Sequence, residues 1–276
     1  MVDFGLGGRV FVVTGGGSGI GRATALLAAR SGAAVGVGDR NAAAAAAVAG
    51  EIVAAGGKAV ALAFDVVDEA ATETVFETCE RTFGPVDGLV ACAGISRNAA
   101  AENVTDEDWS AVVEVNMTGT FLTCRTAGRR MIARRRGAIV TIASTDGIGG
   151  HSGRIHYSAS KHGVIGLTKG LALEWGRFGV RVNCVAPGPV ETPLLHAGLP
   201  DSYIEDVLID RTPLARLSAA EDQANACLFL LSDAAAHVTG IVVPVDGGMN
   251  TGYYNRWNGA DFASVALLER GVYAAR

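Results

Sequence analysis

Tyr157 and Lys161 stand four residues apart in His156-Tyr157-Ser158-Ala159-Ser160-Lys161. The stretch reads as the start of a helix, so both side chains project from one face. A free phenol ionises only at about pH 10 and is a poor base at neutral pH, whereas an adjacent ammonium favours the phenolate. The pair therefore suggests proton transfer, although the same spacing occurs in ordinary amphipathic helices. Upstream, Ser144 closes the apolar run Ala138 to Ser144. A hydroxyl at the carboxyl end of a strand opens into the crevice where such sheets bind ligands, and can hold a substrate oxygen there. Asn116 falls in a long helical pattern, where a polar residue among apolar neighbours needs hydrogen-bond partners. Taken alone, it reads as a satisfied core asparagine.

A second chemical signal lies near the amino terminus. The run Val10 to Thr14 leads directly into Gly15-Gly16-Gly17-Ser18-Gly19-Ile20-Gly21, and the helical pattern Arg22 to Arg30 follows. Glycines at a strand-to-helix turn let the backbone approach a pyrophosphate, and the free N–H groups of the new helix stabilise its charge. A merely tight turn would look similar. The next apolar run ends at Asp39, where dinucleotide folds commonly place an acid on the adenine ribose. Such a carboxylate accepts hydrogen bonds from the ribose diol and repels a 2'-phosphate, which favours NAD over NADP. Arg40 is the counter-signal: it can pair with a 2'-phosphate, or simply be a solvated loop charge.

These groups need a scaffold, and the apolar pattern supplies one. Short runs recur at Val10 to Thr14, Ala33 to Asp39, Ala59 to Asp65, Val86 to Ala91, Ala138 to Ser144, Val180 to Ala186 and Ile241 to Asp246. Their near-continuous apolarity fits strands covered on both faces, and most gaps between them are long enough for a helix. The expectation is an α/β, doubly wound (Rossmann) parallel sheet of seven strands with helices on both faces, forming a single domain over residues 1–276. The Ala42 to Ala47 run reads as helix, because alanine is the best helix former and Val48, Ile52 and Val53 add an apolar face.

Bulk properties narrow the function classes. The 276 residues are 49% hydrophobic and 18% charged, with a net charge of −5 at pH 7. That balance disfavours a nucleic-acid interface, which depends on many cations. Five scattered cysteines without a C-x-x-C pair suit reduced thiols better than disulfides or zinc. The first nine residues lack a secretory pattern, and no window reaches the roughly 18 apolar residues of a membrane span. A cytoplasmic protein with no membrane partner is expected.

Together the motifs resemble the short-chain dehydrogenase/reductase family, across nearly the whole chain to about Gly248. The likeness rests on the Thr14-Gly-x-x-x-Gly-x-Gly turn, Asp65-Val66, Ala93-Gly94, Asn116, Ser144, Tyr157 with Lys161, and Pro187-Gly188 before Thr192. It implies that Tyr157 is the general acid/base, that Ser144 orients the substrate oxygen, and that Lys161 binds the nicotinamide ribose and supports the phenolate. It implies that Asn116 holds a proton-relay water. It further implies that Asp65 and Val66 flank the adenine, that Pro187, Gly188, Val190 and Thr192 line the nicotinamide side, and that the protein is a homotetramer. Gly15, Ser18, Gly19, Ile20, Gly21, Asp39, Arg40, Ala93 and Gly94 complete the expected cofactor site. One departure is Ala91-Cys92-Ala93-Gly94, where the family commonly has Asn-Asn-Ala-Gly; two amides are lost, and hydrogen bonding in the central sheet is open to change. Cys92 reads as a small buried hydrophobe rather than a reactive thiol.

The leading expectation is an NAD-dependent oxidoreductase that moves a hydride between the nicotinamide and a small-molecule secondary alcohol or ketone, with no metal required. The alternatives are an NADPH-dependent carbonyl or 3-oxoacyl reductase, and a dinucleotide-binding regulatory or scaffold protein; the full set of Asn116, Ser144, Tyr157 and Lys161 argues against the last. Substrate determinants are expected in three places: Asp146 to His156, a substrate loop over residues 190–216, and a C-terminal extension over residues 249–276. His151, Arg154 and His156 read first as surface or packing residues, with contact to a polar or anionic substrate as the second reading. Leu194, Leu195, Leu199, Tyr203 and Ile204 suggest an apolar lid or a subunit contact. Tyr253, Tyr254, Trp257 and Phe262 suggest that the extension docks at a subunit interface. Arg129, Arg130, Arg134, Arg135 and Arg136 read as a solvated helix end.

Overall fold

A computed structural model describes residues 4–197 and 199–252, with backbone alone for Arg256–Trp257 and Ala260–Asp261. Seven parallel strands form one sheet: β1 (Val10–Thr14), β2 (Ala34–Asp39), β3 (Lys58–Ala63), β4 (Gly88–Ala91), β5 (Gly137–Ile142), β6 (Val180–Pro187) and β7 (Val242–Val245), in the order β3-β2-β1-β4-β5-β6-β7. The chain reverses its direction of travel across the sheet between β3 and β4, so β1 and β4 become neighbours; a doubly wound sheet opens its ligand crevice at the carboxyl ends of such strands.

Side-chain alternation splits the core into two layers. Phe11 and Val13 of β1 pack with Leu27 of α1 (Gly19–Arg30), Val48 of α2 (Ala42–Ala54) and Leu228 of α9 (Ala220–Leu231). Val10 and Val12 point the other way, into a layer with Phe76 of α3 (Glu69–Phe83), Met131 of α5 (Gly119–Arg134) and Leu171 of α6 (Ile155–Trp175). This period-two division explains why the strands read as continuously apolar. The alanine run is helical, as expected: Asn41 caps α2, its side chain accepting from the Ala44 N–H at 3.1 Å.

Strand ends differ from the sequence reading by at most two residues. The third closes at Ala63 rather than Asp65 because the chain turns there, Asp65 Oδ1 accepting from Val67 N–H and its carbonyl from Asp68 N–H. Asn116 lies in a π-helical turn, Glu114–Thr118, that joins α4 (Asp106–Val113) to α5. A π-turn widens the helix locally and often marks a functional position.

The expected substrate loop contains α7 (Pro193–His196), α8 (Asp201–Tyr203) and a π-helical turn, Ile204–Ile209. Its base is tied by a parallel bridge between Val190 and Ser218. Arg130 and Arg134 are not the solvated charges expected: they bridge α5 to Glu73 and Glu80 on α3, at 2.7 Å and 3.2 Å. Tyr253, Tyr254 and Phe262 of the extension lie outside the described residues, as does the Trp257 side chain. Among the described residues no helix is long and apolar enough to cross a membrane.

Candidate active site

The carboxyl ends of β1, β2, β4, β5 and β6 surround one cavity of about 520 Å³. Its inner wall is the glycine turn. Gly15 has φ +64°, and a Cβ there would sit 2.9 Å from the Ala93 Cα. At Gly21 a Cβ would meet the Gly15 carbonyl oxygen at 2.1 Å, so no side chain fits while the turn keeps this shape. The bare backbone of this turn thus faces the cavity where α1 begins, the arrangement that receives a pyrophosphate.

Asp39 ends β2 with its carboxylate held on both sides. Oδ2 accepts the Gly17 N–H at 3.0 Å and Oδ1 accepts the Asn41 N–H at 2.8 Å. A Cβ on Gly17 would lie 2.8 Å from Asp39 Oδ2, so this glycine is what lets the phosphate turn and the acid touch. Arg40 points outward, its side chain 74% exposed and 4.0 Å from the Asp65 carboxylate. The lost amides of the fourth strand are offset from β1: the Thr14 hydroxyl accepts from both the Cys92 and Ala93 N–H groups at 3.1 Å. Burial pushes the Cys92 thiol up to about 11, with Lys161 lowering it less, which agrees with its reading as a small hydrophobe.

Tyr157 and Lys161 both lie in the first two turns of α6, buried and facing the cavity. Lys161 Nζ donates to the Ile142 carbonyl at 2.8 Å and sits 5.5 Å from the Tyr157 ring centroid. Ser144 follows β5, and its Oγ accepts the Asp146 N–H at 3.1 Å, leaving the hydroxyl proton free to turn. Gly147 then packs on the α6 backbone, where a Cβ would come within 2.7 Å of the Lys161 carbonyl oxygen. That contact fixes the loop carrying Ser144 against the helix carrying Tyr157.

All the expected site residues line this cavity except Asn116. Asn116 is fully buried behind it, accepting the Ile95 N–H at 2.8 Å and donating to the Ile95 carbonyl at 3.0 Å and Ser160 Oγ at 3.1 Å. Its geometry ties α4–α5 to the loop after β4.

Residues 15–250 match the family model described as enoyl-(acyl carrier protein) reductase. The chain is 41% identical over 244 residues to 3-oxoacyl-(acyl-carrier-protein) reductase FabG of Thermotoga maritima, covering 88% of this chain and 98% of that one. It is 40% identical over 246 residues to D-threitol dehydrogenase of Mycolicibacterium smegmatis, covering 89% and 94%. The chain belongs to the short-chain dehydrogenase/reductase family. Among solved structures, one provisionally described as an NAD(P)-dependent gluconate 5-dehydrogenase from Beutenbergia cavernae, with NADP bound at low occupancy, superposes with a TM-score of 0.84. Its sequence identity is 40%, and the match covers 91% of this chain and all of that one.

As a member of the short-chain dehydrogenase/reductase family, the protein is an oxidoreductase that works with a nicotinamide dinucleotide, and the cradle fits that group. The glycine turn can receive the pyrophosphate, Asp39 has acceptor capacity for a ribose diol, and Pro187, Gly188, Val190 and Thr192 form the wall beside Ser144 and Tyr157. Sequence reasoning undervalued Arg154. Its Cζ lies 4.4 Å over the Tyr157 ring, opposite in role to a surface charge, while Nη2 donates to Ser96 Oγ at 2.7 Å. His151 also lines the cavity, whereas His156 is wholly buried and does not. Leu194, Leu195 and Leu199 reach the cavity as an apolar edge; Tyr203 and Ile204 do not. Ser96 was not foreseen, since a lone serine in a loop carries no periodic signal.

Proposed function

We propose that the protein is an NAD-dependent dehydrogenase of secondary alcohols, able to reduce the corresponding ketones. The observation that carries the cofactor choice is Asp39, whose carboxylate is fixed at the cavity edge by the Gly17 and Asn41 N–H groups. A 2'-phosphate placed there would meet a carboxylate that cannot swing away without giving up both bonds. Bound nicotinamide would accept or supply the hydride. In the oxidative direction the carbinol O–H bond breaks toward the Tyr157 phenolate, the C–H pair leaves as hydride, and the carbon–oxygen bond becomes a carbonyl. Ser144 donates to that oxygen, and Lys161 holds positive charge beside the phenolate. Asn116 acts from behind the cavity, holding Ile95 and Ser160 and the relay water that the family resemblance implies.

Initial rates with NAD and NADP over a panel of secondary alcohols test this reading. The expected result is a kcat/KM for NAD about 10- to 100-fold above that for NADP, with Asp39→Ser narrowing the gap. A strong NADPH preference would instead favour a carbonyl or 3-oxoacyl reductase that uses Arg40. The exposed Arg40 at the cavity rim and the NADP-bound relative are what support that second reading. We also propose a cytoplasmic homotetramer. Trp109, Phe121, Ile155 and Leu173 of α4–α6 are exposed apolar surface that such an assembly would cover, and light scattering measures it directly.

A further inference from the structure

The dehydrogenase reading leaves one buried group in the cavity without a task. Asp146 is 6% exposed and lines the same wall as Ser144 and Tyr157. Its Oδ2 is buried and accepts no hydrogen bond; its polar contact is Arg154 Nη1 at 3.3 Å, an ion pair without hydrogen-bond alignment. Arg154 is likewise incompletely used, since its buried Nε has no partner. A carboxylate can accept several hydrogen bonds, and one left short in a buried site is costly. The group is held in place: the Asp146 N–H is bonded to Ser144 Oγ, and Arg154 spans from Asp146 to the face of the Tyr157 ring. Unused acceptor capacity therefore sits within one guanidinium of the reacting centre.

We propose that Asp146, with Arg154 beside it, is a specificity site for a second hydroxyl group, and that the substrate is a neutral diol or polyol, or the matching hydroxyketone, with that hydroxyl next to the reacting carbon. The identity of the reacting carbon rests on the dehydrogenase reading above. A hydroxyl is both donor and acceptor: it donates to Asp146 and accepts from Arg154, satisfying both. A simple alcohol leaves the carboxylate short of a donor. A carboxylate substrate fares worse, because Asp146 already neutralises Arg154 and repels a second anion.

The test compares vicinal cyclohexanediol, cyclohexanol and vicinal hydroxycyclohexanecarboxylate. Binding to the protein saturated with NADH is measured by calorimetry, a complex that cannot oxidise an alcohol, and kcat/KM is measured with NAD. Wild type is expected to bind the diol roughly 10- to 100-fold more tightly than cyclohexanol, the range of a hydrogen bond to a charged group. Asp146→Asn is expected to lose most of that margin, leave cyclohexanol and NADH binding little changed, and gain affinity for the carboxylate because Arg154 is left uncompensated. Equal binding of diol and cyclohexanol by wild type, or tightest binding of the carboxylate, overturns the proposal even if the variant does not fold. So does a variant that weakens all three ligands alike, which would mark Asp146 as a support for Arg154 only. Diol-selective binding without reduction of NAD would sustain this site while sinking the dehydrogenase reading.

Discussion

At the scale of single residues, the chemistry depends on where Tyr157 meets its neighbours. Two cations lie near the ring, Lys161 Nζ at 5.5 Å and Arg154 Cζ at 4.4 Å from its centroid. Tyr157→Phe keeps the ring and both cation contacts but removes the proton-carrying oxygen. Its kcat is expected to fall by about 10²- to 10⁴-fold with dinucleotide affinity retained, as single-turnover rates and a binding titration would measure; near-normal turnover would refute the assignment. The residues of this centre were unequally legible in the sequence. Tyr157 and Lys161 announce themselves by helical spacing, and the glycines and Asp39 by following strands. Arg154 and Asp146 do not, because they face each other across the loop between β5 and α6, where no period links position to direction. Arg154 immediately precedes the helix, with φ −141° and ψ 37°, so its approach to the Tyr157 ring cannot be inferred from i,i+3 geometry.

At the scale of elements, the five inner strands were readable because both their faces are covered, and the partly exposed edge strands β3 and β7 because their sequences stay apolar; the ends were set by turns that apolarity does not encode, as at Asp65. Arg130 and Arg134 of α5 were misread for a related reason, whereas Arg129 is the exposed charge expected. Positive charge at a helix end is favourable in isolation, but here α3 runs alongside and presents Glu73 and Glu80. Burial pushes the Glu73 carboxyl up, yet hydrogen bonds from Arg130 and Thr126 together with the charges of Arg130 and Arg129 outweigh it and hold the group below its usual 4.5. Arg130 is thereby pinned over the Phe76 ring at 5.6 Å, joining the ion pairs to the apolar layer beneath. Glu73→Gln is expected to cost about 1 kcal/mol, a modest value because the pair is partly solvated. Chemical denaturation in low and high salt checks it: the loss should shrink as salt rises. A loss independent of salt would point to packing rather than charge.

At the scale of the whole molecule, one sheet reversal brings together groups far apart in the chain, with Gly15, Asp39, Ser144, Tyr157 and Pro187 around a single cavity. The same compactness buries a group that acid should attack. His156 is wholly covered, with neither ring nitrogen hydrogen-bonded. Burial holds its pKa below the usual 6.5; Asp108 opposes this, and Arg154 and Arg97 reinforce it. The unfolded chain therefore takes up a proton at a higher pH than the native ring does. Stability from this residue is complete above 6.5 and declines as pH falls from there through the lowered native value, with a slope of at most about 1.4 kcal/mol per pH unit for one proton. Glu73 follows the same sign in a lower window, its contribution declining as pH falls from 4.5 through its own lowered value. Acid destabilisation should thus begin with the histidine and continue with the carboxylate. Denaturant midpoints of wild type, His156→Phe and Glu73→Gln across this range separate the two: the first variant should flatten the upper part of the pH dependence and the second the lower. If His156→Phe leaves the upper slope unchanged, the ring is already reached by water in the native state, and the contact of α4 with α6 is looser than the structure places it.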